Sequence, residues 1–127
     1  MRKQVVRARY PQPAGQPSSR AVKVGNLVFT GGIAGLDPKT GKLAPGGIEA
    51  EARIALEKLK ATLEDAGTSL ENVVKVNVFI REFKDYPGLN RVYVEYFPSD
   101  PPARMVIQVP LQDGMALEFD AVAVIPE

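Results

Sequence analysis

The segment from Ile48 to Gly67 limits what this chain can fold into more than any other. Ile48, Ala52, Ala55, Leu56, Leu59 and Leu63 recur at spacings of three and four, which gathers them on one face of a helix. Glu49 and Glu51 fall in its first turn, where the helix dipole favours acids, and Gly67 provides a left-handed stop. Glu49 and Arg53 are spaced as an i,i+4 pair on its solvated face. A helix with one apolar stripe needs a second layer to cover it. With 127 residues the chain can close one such core and has no room for another, so residues 1–127 are expected to form a single domain.

The second layer is read from period-two segments. Ala21 to Val24 and Leu27 to Thr30 are short apolar runs joined by Gly25-Asn26, the spacing of a hairpin. Gln4 to Arg9 is expected as an edge strand, Tyr10 to Ser19 as a surface loop, and Asp37 to Gly41 as a turn. Val73 to Arg81 alternates, with Val74, Val76, Val78 and Ile80 on the expected core face. Asp85-Tyr86-Pro87 then caps a second helix whose stripe is Leu89, Val92, Tyr93, Tyr96 and Phe97, ended by Pro98. Its tyrosines read as packing residues. Ala103 to Val109 and Ala116 to Ile125 close the chain as an expected antiparallel hairpin around the turn Pro110 to Gly114. The order strands, helix, strand, helix, strands predicts an α+β fold with both helices on one face of a mixed sheet.

Composition narrows the chemistry. Cysteine and histidine are both absent, which removes thiolate nucleophiles, Ser-His pairs, His- or Cys-ligated zinc and imidazole acid–base catalysis together. A net charge of +1 with interspersed signs offers no footprint for nucleic acid. No window is long and apolar enough for a membrane span and no secretory core follows Met1-Arg2-Lys3, so a cytoplasmic location is expected. No cofactor or metal is expected.

In the strand from Ala103, the odd positions Ala103, Met105, Ile107 and Val109 form an apolar face, leaving Arg104, Val106 and Gln108 on the other. In the last strand Glu118 and Asp120 oppose an apolar odd face. If the two strands pair as a hairpin with their apolar faces together, Arg104 stands opposite Asp120. That second face also carries Val106, Val122 and Val124, so another subunit is expected to cover it, making a pocket at the seam. Pro101-Pro102 stiffens the approach to Arg104, which suits a guanidinium held for a carboxylate. Gly31-Gly32-Ile33-Ala34-Gly35 matches no phosphate-loop pattern and reads as a bend or bulge.

The chain resembles, along its whole length, the RidA family, also called YjgF or L-PSP endoribonuclease-like. The resemblance rests on Val24-Gly25-Asn26-Leu27-Val28-Phe29-Thr30, on the helix ending Leu63-Glu64-Asp65-Ala66-Gly67, and on Val73 to Phe79, Asn90 to Phe97 and Pro102-Ala103-Arg104. It implies a chorismate-mutase-like fold assembled as a homotrimer, with a ligand pocket in each cleft between subunits. In deaminating members the motif arginine grips the substrate carboxylate while a water aided by a glutamate hydrolyses an enamine or imine to a 2-oxo acid and ammonia. The resemblance makes Arg104 that arginine and puts Asp120 in the glutamate position, with Gly32 and Asn90 retained. Ser18 stands where the family usually has tyrosine, Gly31 where it often has serine, and Val106 where cysteine is frequent.

The catalytic pair expected from this is Arg104 and Asp120, with Gly31, Gly32, Asn90, Ser18, Val106 and Glu118 around the substrate. Loss of the tyrosine, serine and cysteine widens the pocket toward substrates bulkier than 2-aminoacrylate. Two further readings stand beside the hydrolase: a non-catalytic binder of small carboxylates such as 2-oxo acids, and an RNA-cleaving or translation-inhibiting protein, for which the basic surface is missing.

Overall fold

The computed structural model describes residues 1–127 and holds the expected long helix as α1, Gly47–Ala66. Gly67 follows at φ 94°, a left-handed conformation that costs glycine little, and the amides of Gly67 and Thr68 turn back to the carbonyls of Glu64 and Leu63. Ala52, Ala55, Leu56, Leu59 and Leu63 are fully buried, as the stripe predicts. Glu49 lies in the first turn, but Glu51 is turned inward, where its carboxylate accepts the Ala116 amide at 2.8 Å. Neither Glu49 nor Arg53 uses the other. A second helix, α2 (Tyr86–Tyr96), lies alongside α1, and the bridges cross between helices, Arg91 to Glu49 and Arg53 to Glu95, each at 2.9 Å. All four side chains are about half exposed or more, so each bridge contributes under about 1 kcal/mol.

Seven strands form one mixed sheet: β1 (Gln4–Val5), β2 (Ala21–Val24), β3 (Leu27–Thr30), β4 (Ile33–Ala34), β5 (Val73–Ile80), β6 (Ala103–Gln108) and β7 (Leu117–Val124). They run β1-β2-β3-β7-β5-β6, with β4 also paired to β7. The β2–β3 hairpin turns at Gly25-Asn26 as expected, with Val24 opposite Leu27. Only Gln4–Val5 of the expected first strand is extended and paired. The expected hairpin of the last two strands does not form. β5 lies between them, antiparallel to β7 and parallel to β6. The reason is α2: parallel neighbours need a crossover of a dozen or more residues, and β5-α2-β6 is such a unit.

Both helices cover one face of this sheet, where Phe119, Ile33, Leu56, Leu59, Leu63, Ile80, Leu89 and Leu117 are the largest fully buried side chains. Each stabilises the fold by roughly 1.5–3 kcal/mol relative to exposure. The sequence assigned Val74 to this face, but a bulge between Val73 and Lys75 turns Val74 outward and buries Val73 instead. The extra residue shifts the alternation by one, so the core face resumes at Val76. The other face of the sheet bears no helix and exposes Phe29, Met105 and Ile107. Neither helix is long and apolar enough to cross a membrane.

One contact joins the helix layer to the sheet edge with no tolerance. A Cβ added to Gly35 would stand 2.5 Å from both Cα and Cβ of Glu51. Gly35→Ala must push α1 off the strand and pull Glu51 from the Ala116 amide, so a loss of at least about 2 kcal/mol is expected in urea unfolding. An unchanged unfolding midpoint would refute this contact.

Candidate active site

Rows of paired residues across β6, β5 and β7 decide which side chains can meet. Arg104 pairs with Val76 and Val76 with Ala121, while Val106 pairs with Val78 and Val78 with Phe119. These rows point to the helices. Met105, Asn77 and Asp120 form a row on the opposite face, as do Ile107, Phe79 and Glu118. Arg104 and Asp120 therefore do not face one another in a single chain, contrary to the expected hairpin register. The odd face of β6, expected in the core, is the exposed one.

On the helix side Arg104 sits in a seat supplied by α2. Its Nη1 donates to Asn90 Oδ1 at 2.9 Å and its Nη2 to the Tyr86 hydroxyl at 3.1 Å. The guanidinium carbon lies 4.6 Å from the ring centre of Tyr93 and 5.7 Å from that of Tyr86, within cation–π range of both. Tyr86, Asn90 and Tyr93 are spaced four and three apart, so one face of α2 presents all three to the strand that follows. The resemblance places Asn90 in the site, while the sequence reads the tyrosines as packing residues; their spacing around Asn90 is the signal that they belong to the seat. None of the chain's ion pairs includes Arg104. A guanidinium carries five N–H donors, and only two are used. Val106 is next along this face and packs against the core rather than lining a polar site.

The carboxylates form a second group on the bare face. Asp120 Oδ1 accepts the Asn77 side-chain amide at 2.8 Å, which fixes its orientation. Glu118 lies against Gly32, where an added Cβ would come within 2.8 Å of its carboxyl carbon. Burial pushes the Glu118 carboxyl above its ordinary range and Asp120 adds to the rise, while Arg20 opposes it. Gly31 bends the chain here, donating its amide to the Arg20 carbonyl at 2.8 Å. Ser18 is exposed on the loop that lines a cavity with Gly32 and Glu118. Of the expected site residues the structure thus gathers Arg104 with Asn90, and separately Glu118 and Asp120 with the Gly31-Gly32 bend. Asn77 lies within the matched segment Val73 to Phe79, but its alternation with lysine and phenylalanine on a mixed face gives it no distinguishing role in the sequence. No cluster of acidic side chains is placed to hold a metal ion.

The geometry has counterparts. Residues 8–125 match the family model described as endoribonuclease L-PSP. The chain is 41% identical over 116 residues to the 2-iminobutanoate/2-iminopropanoate deaminase of Dermatophagoides farinae, covering 91% of this chain and 90% of that protein. Its fold matches the crystal structure of RidA from an Antarctic Psychrobacter at a TM-score of 0.89 and 37% identity, covering 96% of this chain and 99% of that one. It also matches E. coli TdcF with bound serine, at a TM-score of 0.88 and 32% identity over 95% and 98% of the two chains.

The Tyr93 hydroxyl is buried without a hydrogen-bond partner, and burial raises its phenol to about 12 while Arg104 pulls it slightly back. What the seat takes from Tyr93 is the neutral ring. Tyr93→Phe removes an unsatisfied polar atom and keeps that ring, so urea unfolding should show stability unchanged or raised by up to about 1 kcal/mol. Destabilisation beyond about 1 kcal/mol would mean that the hydroxyl is hydrogen-bonded in solution.

Proposed function

The chain belongs to the endoribonuclease L-PSP family, the family of RidA, and on that footing we propose that it hydrolyses reactive imines or enamines of 2-oxo acids, with Arg104 holding the substrate carboxylate. The observation that carries this reading is the state of Arg104: a guanidinium braced on three sides by Asn90, Tyr86 and Tyr93, with no carboxylate partner and three donors free. Such a fork suits a planar carboxylate taken bidentately, and the bracing lowers the entropy lost on binding. The deaminase name of the mite relative and the serine bound in TdcF agree with an amino-acid-derived carboxylate as ligand.

Hydrolysis needs a water at the imine carbon and protons for the leaving nitrogen. The water adds its oxygen to carbon, the carbon–nitrogen bond breaks, and nitrogen leaves as ammonia with a 2-oxo acid remaining. Asp120, steadied by Asn77, is the group proposed to orient that water, and Glu118, whose carboxyl is biased toward its protonated form, to return a proton to nitrogen. Because Arg104 and these acids lie on opposite faces of one sheet, the complete site is proposed at a cleft between subunits of a homotrimer. There Arg104 of one protomer meets the Gly32, Glu118 and Asp120 surface of its neighbour. The exposed apolar side chains Phe29, Met105 and Ile107 on the helix-free face suit such a contact. Ser18 leaves room beside the reacting carbon for side chains larger than that of 2-aminoacrylate, whereas the space a side chain at Gly31 would fill is taken by the loop, with Gln12 Nε2 at 2.8 Å and the Ser19 carbonyl at 2.9 Å from an added Cβ.

A second reading, a carboxylate binder without turnover, draws on the fact that the Arg104 seat is complete within one chain while the acids lie elsewhere. A coupled assay separates the two: imines generated by an amino-acid oxidase or a PLP enzyme are followed to 2-oxo acid and ammonia. Faster release with the protein, lowered about 100-fold or more in kcat/KM by Arg104→Ala, is expected. Binding of 2-oxo acids with no acceleration for any imine would favour the binder. An undiminished rate in Arg104→Ala would remove the anchor altogether.

A further inference from the structure

Beneath the Tyr10 to Ser19 loop, beside the proposed reaction centre, lie two buried cations that the proposed reaction does not use. The loop from Tyr10 to Ser19 roofs a cavity of about 640 Å³ whose walls include Gln12, Arg20, Asp37, Lys58 and Glu118. Arg20 and Lys58 are each only 7% exposed. Arg20 donates Nε to the Tyr10 carbonyl and Nη1 to the Gly32 carbonyl, both at 2.9 Å, and Lys58 donates to the Ala34 carbonyl at 3.3 Å. Every one of these partners is a neutral oxygen. None of the chain's ion pairs includes either residue, so the carboxylates of Glu118 and Asp37 stay beyond 4 Å. Arg9, at the rim, is already committed to Asp65 and Glu64.

Buried charges are ordinarily paired, because removing an ion from water is recovered only by an opposite charge close by. Two like charges sharing one wall make the cost larger. We propose that this cavity is a binding site for a small dianion, a phosphate monoester or a dicarboxylate, gripped by Arg20 and Lys58. The donors for it are present: the Nη2 of Arg20, two remaining N–H of Lys58, the side-chain amide of Gln16 on the roof, and the second amide hydrogen of Gln12, whose Nε2 already donates to the Gly32 carbonyl at 3.5 Å. Arg104 of the same chain does not line the cavity, and Arg20 and Lys58 supply its positive charge without it. It adjoins the proposed reaction centre through Ser18, Gly32 and Glu118.

The cavity's own electrostatics fit. Burial brings the Lys58 amine down to about 8, with Arg20 pushing it lower and Asp37 opposing. Lys58 is therefore charged below that pH and neutral above it, with Arg20, Asp37, Glu118 and Arg9 as the other charged groups on the walls. A dianion that pairs with the ammonium holds best at the lower pH and loses affinity as pH rises through 8.

Isothermal titration of the full chain with inorganic phosphate, glycerol 3-phosphate and succinate tests the assignment. Saturable one-to-one binding by at least one of them at pH 7 is expected, with the preferred probe separating the phosphate from the dicarboxylate source. Lys58→Met should weaken it about ten- to hundredfold, the value of one charge-assisted pairing. Affinity of the unmodified chain should fall between pH 7 and 9, and Arg104→Ala should bind as well as the parent. Arg20→Gln serves as the second variant if Lys58→Met loses its far-UV circular dichroism. No saturable heat with any of the three probes at about 10 mM, a weak-binding limit, would overturn the site. So would parental affinity in the folded variants, or loss of binding in Arg104→Ala.

Discussion

The parallel pairing of β5 with β6 is the constraint on which the arrangement of this molecule depends. It requires α2 as the crossover, and α2 then lies directly over the strand it delivers. The pairing also sets register: Arg104 stands beside Val76, on the face α2 covers, so that Asn90, Tyr86 and Tyr93 come within reach of its guanidinium. Had β6 folded back on β7 as a hairpin, the same arginine would face Asp120 and the helix would have nothing polar beneath it. One topological choice thus separates cation from carboxylates within the chain.

What could be read from the sequence was what is local. The stripe of α1 and its glycine stop, the Gly25-Asn26 hairpin and the Pro87 start of α2 depend on neighbours within a few residues, and all stand where their patterns put them. Strand partnership was not legible, because β5 is distant in sequence from β7 and its alternation suits several positions in a sheet. Nor was the face of β6, whose apolar set Ala103, Met105 and Ile107 looks like core yet is exposed. Valine at both 73 and 74 hid the bulge, since alternation cannot choose between identical side chains. Arg104 was singled out by its apolar setting and by family resemblance; its tyrosine seat is a tertiary fact that only the packing of α2 reveals.

The two arginines illustrate how one side chain serves two environments. Arg104 lies at a half-open edge with aromatic rings beneath it, so its charge is supported by π-faces and an amide oxygen while its remaining donors look outward. Arg20, just before β2, is buried, lowered in basicity by desolvation, and held by the backbone carbonyls of Tyr10 and Gly32. The first rests half-buried on the rings of α2, and the second is hydrogen-bonded to the Gly32 carbonyl at the bend of Gly31-Gly32, against which Glu118 lies.

Being last in the sheet gives β6 a further property. Its outer row of amides and carbonyls has no strand beside it, and an open edge of this kind invites foreign chains to add on and grow into fibrils. This edge is six residues long, preceded by Pro101-Pro102 and followed closely by Pro110. Proline offers no N–H to an incoming strand, so any ladder begun on β6 terminates within two turns of the pleat at either end. The prolines that stiffen the approach to Arg104 thereby also act as gatekeepers against aggregation, and a change there would be felt in solubility.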